Sequence, residues 1–155
     1  MTLLLALDDT DTLSSRGTGR LARAIADLIG LEYPVLGVTR HQLYVHESIP
    51  YTSHNSCAVI HLGPCGNGQE DRIFSLACEH MRADFVEGSD PGIALAKRAT
   101  VSPEVIAFGH DAKRRVLTKE EARALAKKSS IRLEGLGGTE DGVIGALAGI
   151  GLAAT

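Results

Sequence analysis

The 155 residues of this chain suit one domain, and 44% hydrophobic with 23% charged side chains exclude a disordered chain and a coiled coil. A net charge of −3, only 4% aromatic residues and one tight basic cluster at 113–115 make a poor surface for gripping nucleic acid. The three cysteines form no Cys-x-x-Cys pair and predict free thiols, while the apolar opening is too short for a signal peptide or a membrane span, so we expect a cytoplasmic protein.

The first half of the chain alternates strand and helix patterns. A continuous apolar run at 3–7 predicts a central strand covered on both faces. An apolar stripe over 21–29, closed by a glycine, predicts the first helix. Apolar runs at 35–40 and 56–62 predict two further strands, and a second stripe over 70–83 predicts a helix that covers the sheet.

The second half begins with two helix start signals. A serine N-cap followed by proline at 102–103 and a capping-box spacing at 118–121 each predict a helix. A short strand is predicted at 131–133, and 142–152 is apolar nearly all round, which is typical of a buried helix. Together these elements predict an α/β protein, with a single domain over 1–155 and a central mixed sheet covered by helices.

Three carboxylates in four residues follow the first predicted strand: Asp8, Asp9 and Asp11, with Thr10 between them. In open α/β sheets, ligands bind in the crevice beyond the strand ends. Oxygen ligands of this kind hold Mg²⁺ together with waters and substrate phosphates, and a cation would relieve the repulsion between the acids. Residue types alone leave an alternative equally open, in which this is a surface turn that caps the following helix.

A glycine-rich segment, 135–145, leads into the last predicted helix, and such an approach exposes backbone N–H groups to an anion. It carries neither a P-loop nor a Rossmann fingerprint. Its glycines equally suit a tight turn or close helix packing. The residues predicted to contact a nucleotide are Thr10, Gly137, Gly138, Thr139, Gly142 and Gly145.

Charge and metal chemistry raise two questions around this segment. Glu140 and Asp141 oppose an incoming phosphate unless a cation lies between. Among six histidines only His54-x-x-Cys57 approaches zinc-ligand spacing, and a structural zinc site needs four ligands, so we do not expect zinc. The candidates for balancing phosphate charge are Arg16, Arg20, Arg40 and Lys97.

Four motifs occur in an order that is far more specific than any one of them. They are the acidic loop 8–11 after the first strand, Ile49-Pro50-Tyr51 before the 58–59 strand segment, Ser89-Asp90-Pro91-Gly92, and the helix start 142–148 with Gly151. In this order they resemble the N-terminal, kinase-like nucleotide-binding domain of the archaeal isoleucine-tRNA agmatinylcytidine (agmatidine) synthetase family. The resemblance runs nearly from end to end of the chain.

The resemblance implies a site for ATP or GTP in which Asp8, Asp9 and Asp11 hold Mg²⁺ for phosphoryl transfer, a reaction that needs mainly positioning and charge neutralisation. It also implies a phosphate-accepting threonine soon after the acidic loop, and Thr18 is the best positional match. In the family, further domains bind tRNA and modify its anticodon cytidine with agmatine. This chain has no room for them, so we expect tRNA as a partner only through other subunits or domains; self-association into a homo-oligomer stays open.

The predicted function is therefore a Mg²⁺-dependent ATP- or GTP-binding domain with kinase-like or NTPase activity, whose catalytic residues are Asp8, Asp9, Asp11 and Thr18. A departure at 52–57, where the family tends to have a basic, glycine-containing turn, supports an alternative. In that alternative the chain is a non-catalytic nucleotide- or ligand-binding module that acts as a sensor or as a subunit of a larger assembly.

Overall fold

The computed structural model describes residues 2–8, 18–43, 56–64, 68–83 and 90–155. Within these ranges the chain forms one five-stranded sheet, five α-helices and a short 3-10 turn. In chain order the elements are β1 (Leu3–Asp8), α1 (Thr18–Ile29), β2 (Val35–Gln42), β3 (Ser56–Leu62), α2 (Gln69–Ala83), β4 (Gly92–Lys97), the 3-10 turn (Arg98–Thr100), α3 (Pro103–Asp111), α4 (Lys119–Lys128), β5 (Arg132–Gly135) and α5 (Gly142–Ala153).

The strands lie in the order β2-β3-β1-β4-β5. All four pairings among the described strands are antiparallel. The predicted α/β class, with one sheet covered by helices, is confirmed, and within it the strand directions are antiparallel where a mixed sheet was expected. A strand runs parallel or antiparallel to its neighbour according to the end of the sheet at which the connecting segment brings the chain back. An apolar run in the sequence carries no information about that end.

β1 is the centre of the sheet, and every one of its six residues is buried, as the apolar run predicts. The neighbouring strand β4, between β1 and β5, is not predicted by the sequence pattern. β4 alternates alanine with larger apolar residues, and alanine has a low strand propensity, so the run gives a weak strand signal. In the structure β4 gains its stability by pairing with β1 along its whole length.

The two faces of the sheet carry different helices. Leu3, Leu5 and Leu7 of β1 face a core formed with α1 and α2. Leu4 and Ala6 face the other way, into a core formed with α3, α4 and α5. The predicted stripes of α1 and α2 and the predicted buried helix at 142–152 are therefore confirmed.

α5 runs through the second core and contacts β1, β4 and α3. Ten of its 12 residues are buried, which explains why its sequence is apolar on all sides. Nowhere in the described ranges is a helix long and apolar enough to cross a membrane.

Both predicted helix starts are formed as expected. Ser102 Oγ accepts a hydrogen bond from the Val105 N–H at 3.3 Å, and Pro103 is the first residue of α3. At α4, Thr118 Oγ1 accepts from the Glu121 N–H at 3.1 Å and the Glu121 carboxylate accepts from the Thr118 N–H at 2.8 Å. This reciprocal pair satisfies two amides that would otherwise lack helical partners.

Replacing Gly151 by alanine tests the close contact between α3 and α5. A Cβ at this position would overlap the Val105 carbonyl oxygen, so the helices must separate. We expect the free energy of unfolding, measured by urea denaturation, to fall by about 1–3 kcal/mol. Gly37→Ala in β2 is the matched control, because a Cβ there meets nothing within 4 Å. Equal stabilities of Gly151→Ala and the wild type would contradict the contact.

Candidate functional site

The predicted site lies at one edge of the sheet, where β1 ends and β3 and β4 begin. β1 ends there at Asp8, which pairs with Cys57 at the start of β3 and with Gly92 at the start of β4. α5 begins at the same edge, since Gly142 packs directly on Gly92. The acidic exit of the first strand and the glycine-rich start of the last helix therefore meet, although they are far apart in the sequence.

The Asp8 carboxylate lies directly against α5. Asp8 is only 5% exposed, and a Cβ added to Gly145 would overlap its Oδ2 atom. A Cβ added to Gly142 would come within 2.8 Å of the Asp8 carbonyl oxygen. Of the alternatives for these glycines, the structure supports close packing: they let a helix backbone approach the end of β1.

Burial and the helix give this carboxylate an unusual environment. Asp8 lies beside the first turn of α5, where the partial positive charge of a helix N-terminus favours an anion. Burial raises the pKa of the Cys57 thiol well above its usual value, and the nearby negative charge of Asp8 raises it further. Cys57 is therefore a neutral packing residue at this edge.

Hydrogen bonds to other residues of the protein hold the turn before α5 in place. Gly138 and Glu140 both have left-handed backbone, with φ of 57° and 65°. The Thr139 N–H donates to Asp90 Oδ1 at 2.8 Å, and the Gly142 N–H donates to the Asp90 carbonyl oxygen at 2.8 Å. Two of the amides predicted to cradle a phosphate therefore have protein acceptors, and Gly137, Gly138 and Gly145 keep that prediction.

Two cations of α4 complete the surroundings of this turn. Lys119 Nζ donates to the Thr139 carbonyl oxygen at 2.7 Å and lies 3.4 Å from Asp141 Oδ1. The Arg123 guanidinium donates to Glu140 Oε1 at 2.6 Å. The two acids that were expected to repel a phosphate are thus each paired with a cation.

Sequence reasoning missed Asp90, Lys119 and Arg123 as parts of this edge. Asp90 appears only within a motif of the resemblance, and the two cations look like ordinary surface charges of a helix. The available signal was that Lys119 and Arg123 stand four residues apart, on one face of α4, and equal two adjacent acids in number with the opposite charge.

Of the four predicted charge-balancing residues, Lys97 lies at the wrong edge. It pairs with Leu3 at the opposite end of β1 and lies 3.7 Å from the Glu70 carboxylate. Arg20 is on α1 and Arg40 on β2, and Arg16 lies outside the described residues.

Several predicted site residues lie outside the described ranges. They include Asp9, Thr10 and Asp11 of the acidic loop and most of the 52–57 turn. Thr18 is the first residue of α1. Within the described ranges, no group of three or more His, Cys, Asp or Glu side chains is placed to hold a metal ion. The assigned roles of these residues therefore stay predictions.

Gly145→Ala tests the close contact between the Asp8 carboxylate and α5. The new methyl group must displace the carboxylate, so we expect a loss of roughly 2 kcal/mol in unfolding free energy. Asp8→Ala in the same chain removes the overlapping oxygens, and the double variant should recover about 1 kcal/mol relative to the sum of the single changes. Strictly additive effects in urea denaturation would show that the two residues do not touch.

No protein-family model matches the chain, and no curated protein matches its sequence. Solved structures do match its fold. A tRNA fluorescent labelling enzyme superposes with a TM-score of 0.82 at 23% identity, over 97% of this chain and 36% of that one. Apo TiaS, an agmatidine synthetase that acts on an isoleucine tRNA, gives 0.76 at 24% identity, over 97% of this chain and 35% of that one.

A third match is TiaS in complex with its isoleucine tRNA and ATP, with a TM-score of 0.82 at 22% identity, over 97% of this chain and 36% of that one. The chain thus spans about a third of the length of the structures it matches. At these identities the likeness shows the fold. The resemblance to agmatidine synthetases stated from the motifs is confirmed at that level: the chain has the fold of one part of TiaS.

Proposed function

We propose that the chain is a nucleotide-binding domain that takes ATP or GTP with Mg²⁺ and has kinase-like or NTPase activity. The observation that carries the proposal is the Asp8 carboxylate, buried against the first turn of α5 at the sheet edge where the acidic loop leaves β1. The shared fold supports it, because solved TiaS complexes contain ATP, or AMPCPP with agmatine.

In this proposal the acidic residues act through the cation. Asp8, Asp9 and Asp11 would hold Mg²⁺, which would supply positive charge against the phosphates, and Thr10 would contact the nucleotide. Backbone amides of Gly137 and Gly138, in the turn before α5, and of Gly145, in its first turn, contribute hydrogen bonds. The metal supplies charge neutralisation, and the protein supplies position.

The proposed acceptor of the phosphoryl group is Thr18 or a water molecule. The bond between the γ-phosphorus and the β–γ bridging oxygen breaks, a bond to the threonine or water oxygen forms, ADP or GDP leaves, and the acceptor loses a proton to solvent. Thr18 is the first residue of α1. A helix N-terminus favours an anion, so a phosphate bound to this residue would be stabilised there.

Complete tRNA modification is not proposed for this chain by itself. The chain corresponds to about a third of the solved enzymes that share its fold. We propose that tRNA reaches this domain only through other subunits or domains.

The alternative is a non-catalytic module that binds a nucleotide without turning it over. One structural observation favours it: Asp90 already occupies the amides of Thr139 and Gly142, which a phosphate would otherwise bind. A sensor or assembly subunit needs binding, and it does not need a fully open phosphate cradle.

Calorimetry with ATP and MgCl₂ tests the binding proposal. We expect saturable heat from the wild type and an affinity at least about tenfold lower for Asp8→Asn, because one ligand charge for the cation is lost. Asp27→Asn, on the exposed side of α1, is the matched control and should bind like the wild type. Absence of heat from the wild type at millimolar nucleotide would reject the proposal.

Radiolabelled ATP separates the catalytic proposal from the binding module. Label that stays on the protein and disappears in Thr18→Ala, or free phosphate released over time, supports catalysis. Binding by calorimetry without either product after hours of incubation supports the module.

A further inference from the structure

Two cations on one face of α4 contact the turn that opens α5. We infer that Lys119 and Arg123 are positioning residues of the nucleotide site: they hold the acidic turn 139–141 in place and cancel its charge. This inference rests on the proposed nucleotide-binding function. It adds α4 to β1 and α5 as an element that forms the site.

The contacts cover the whole turn. Lys119 reaches the Thr139 carbonyl oxygen at 2.7 Å and the Asp141 carboxylate at 3.4 Å. Arg123 reaches the Glu140 carboxylate at 2.6 Å. One helix therefore binds three consecutive residues of the turn, through one carbonyl and two carboxylates.

This turn needs such support. Glu140 has a left-handed backbone, with φ of 65°, a conformation that a residue with a side chain adopts only when its surroundings impose it. Its side chain also packs over Gly135 at the end of β5, where a Cβ would overlap it. The ion pair with Arg123 fixes Glu140 in this position, and Thr139 and Gly142 are fixed in turn through Asp90.

α4 is well suited to act as the support. Its first turn is closed by the capping box of Thr118 and Glu121, and the Thr118 backbone N–H holds the pKa of the Glu121 carboxyl below its usual value. Ala122 and Ala126 bury the adjacent side of the helix in the core. Lys119 and Arg123 therefore extend from a helix that is anchored at both its start and its inner face.

The charges matter for a nucleotide more than for the fold. Glu140 and Asp141 place two negative charges beside the first turn of α5, where they would repel a triphosphate. Lys119 and Arg123 return the local charge to near zero. Because these side chains are partly exposed, their effect on stability is small, whereas their effect on a highly charged ligand is larger and depends on salt.

The test measures MgATP affinity by calorimetry for Lys119→Met and Arg123→Met at low and high salt. We expect affinities about tenfold lower than the wild type at low salt, and a deficit that shrinks at about 0.5 M salt as screening increases. Lys128→Met is the matched control. Lys128 forms an ion pair with Glu104 near the other end of α4, so its removal should leave the affinity unchanged.

Removing the acid should rescue the loss of the cation. Lys119→Met with Asp141→Asn, and Arg123→Met with Glu140→Gln, should regain most of the wild-type affinity if compensation is the role. Failure of both double variants to recover would overturn charge cancellation as the role of these cations. Unchanged affinity in both single variants would overturn it as well.

Amide hydrogen exchange tests this inference independently of nucleotide binding. The Thr139 and Gly142 amides should exchange about tenfold faster in Lys119→Met than in Lys128→Met, whether or not nucleotide is added. If the wild type gives no heat with MgATP, the proposed function itself fails. Equal exchange rates in the two variants would show that α4 does not hold the turn.

Discussion

The architecture depends on a backbone contact between the ends of β1 and β4 and the first turn of α5. Gly92 and Gly142 touch without side chains between them, and Gly145 leaves space that Asp8 fills. Because no Cβ separates these elements, α5 lies deep enough to be buried on all sides, and a carboxylate can sit beside a helix start within the protein. Hydrophobic burial and the charged edge are thus consequences of the same close approach.

Much of the fold follows from local patterns. β1 and α5 are predicted from continuous apolar runs, α1 and α2 from apolar stripes, and the starts of α3 and α4 from capping residues, because these signals act over a few neighbouring residues. β4 and the antiparallel directions were not predicted, since they depend on pairing with distant segments. β4 becomes a strand through β1, which its alternating alanines do not announce.

The candidate site likewise has a part that local sequence patterns predict and a part that they do not. The meeting of Asp8 with Gly142 and Gly145 could be anticipated because acids and a glycine-rich helix start both suit one metal-bound phosphate. Asp90, Lys119 and Arg123 could not, because each contacts its partner across 17 to 49 residues and only through the folded arrangement of α4, β4 and α5. Lys97, predicted to balance phosphate charge, lies away from the site at the far end of β4.

The basic cluster at 113–115 shows how neighbours alter the meaning of surface charge. Arg114 and Arg115 both bind the Asp111 carboxylate, so part of their charge is already neutralised within the chain. In the described part of the protein, this cluster therefore contributes less positive charge to the surface than its sequence indicates.

The fit between Asp8 and Gly145 also provides a marker for recognising relatives. An acid at the first position and any residue larger than glycine at the second cannot share the space, so the two positions are coupled by sterics. A chain with this fold but a bulkier residue in the helix has to give up the buried carboxylate. Such a pair of positions can sort chains that share this fold by whether they retain that carboxylate, even where overall identity is too low to decide.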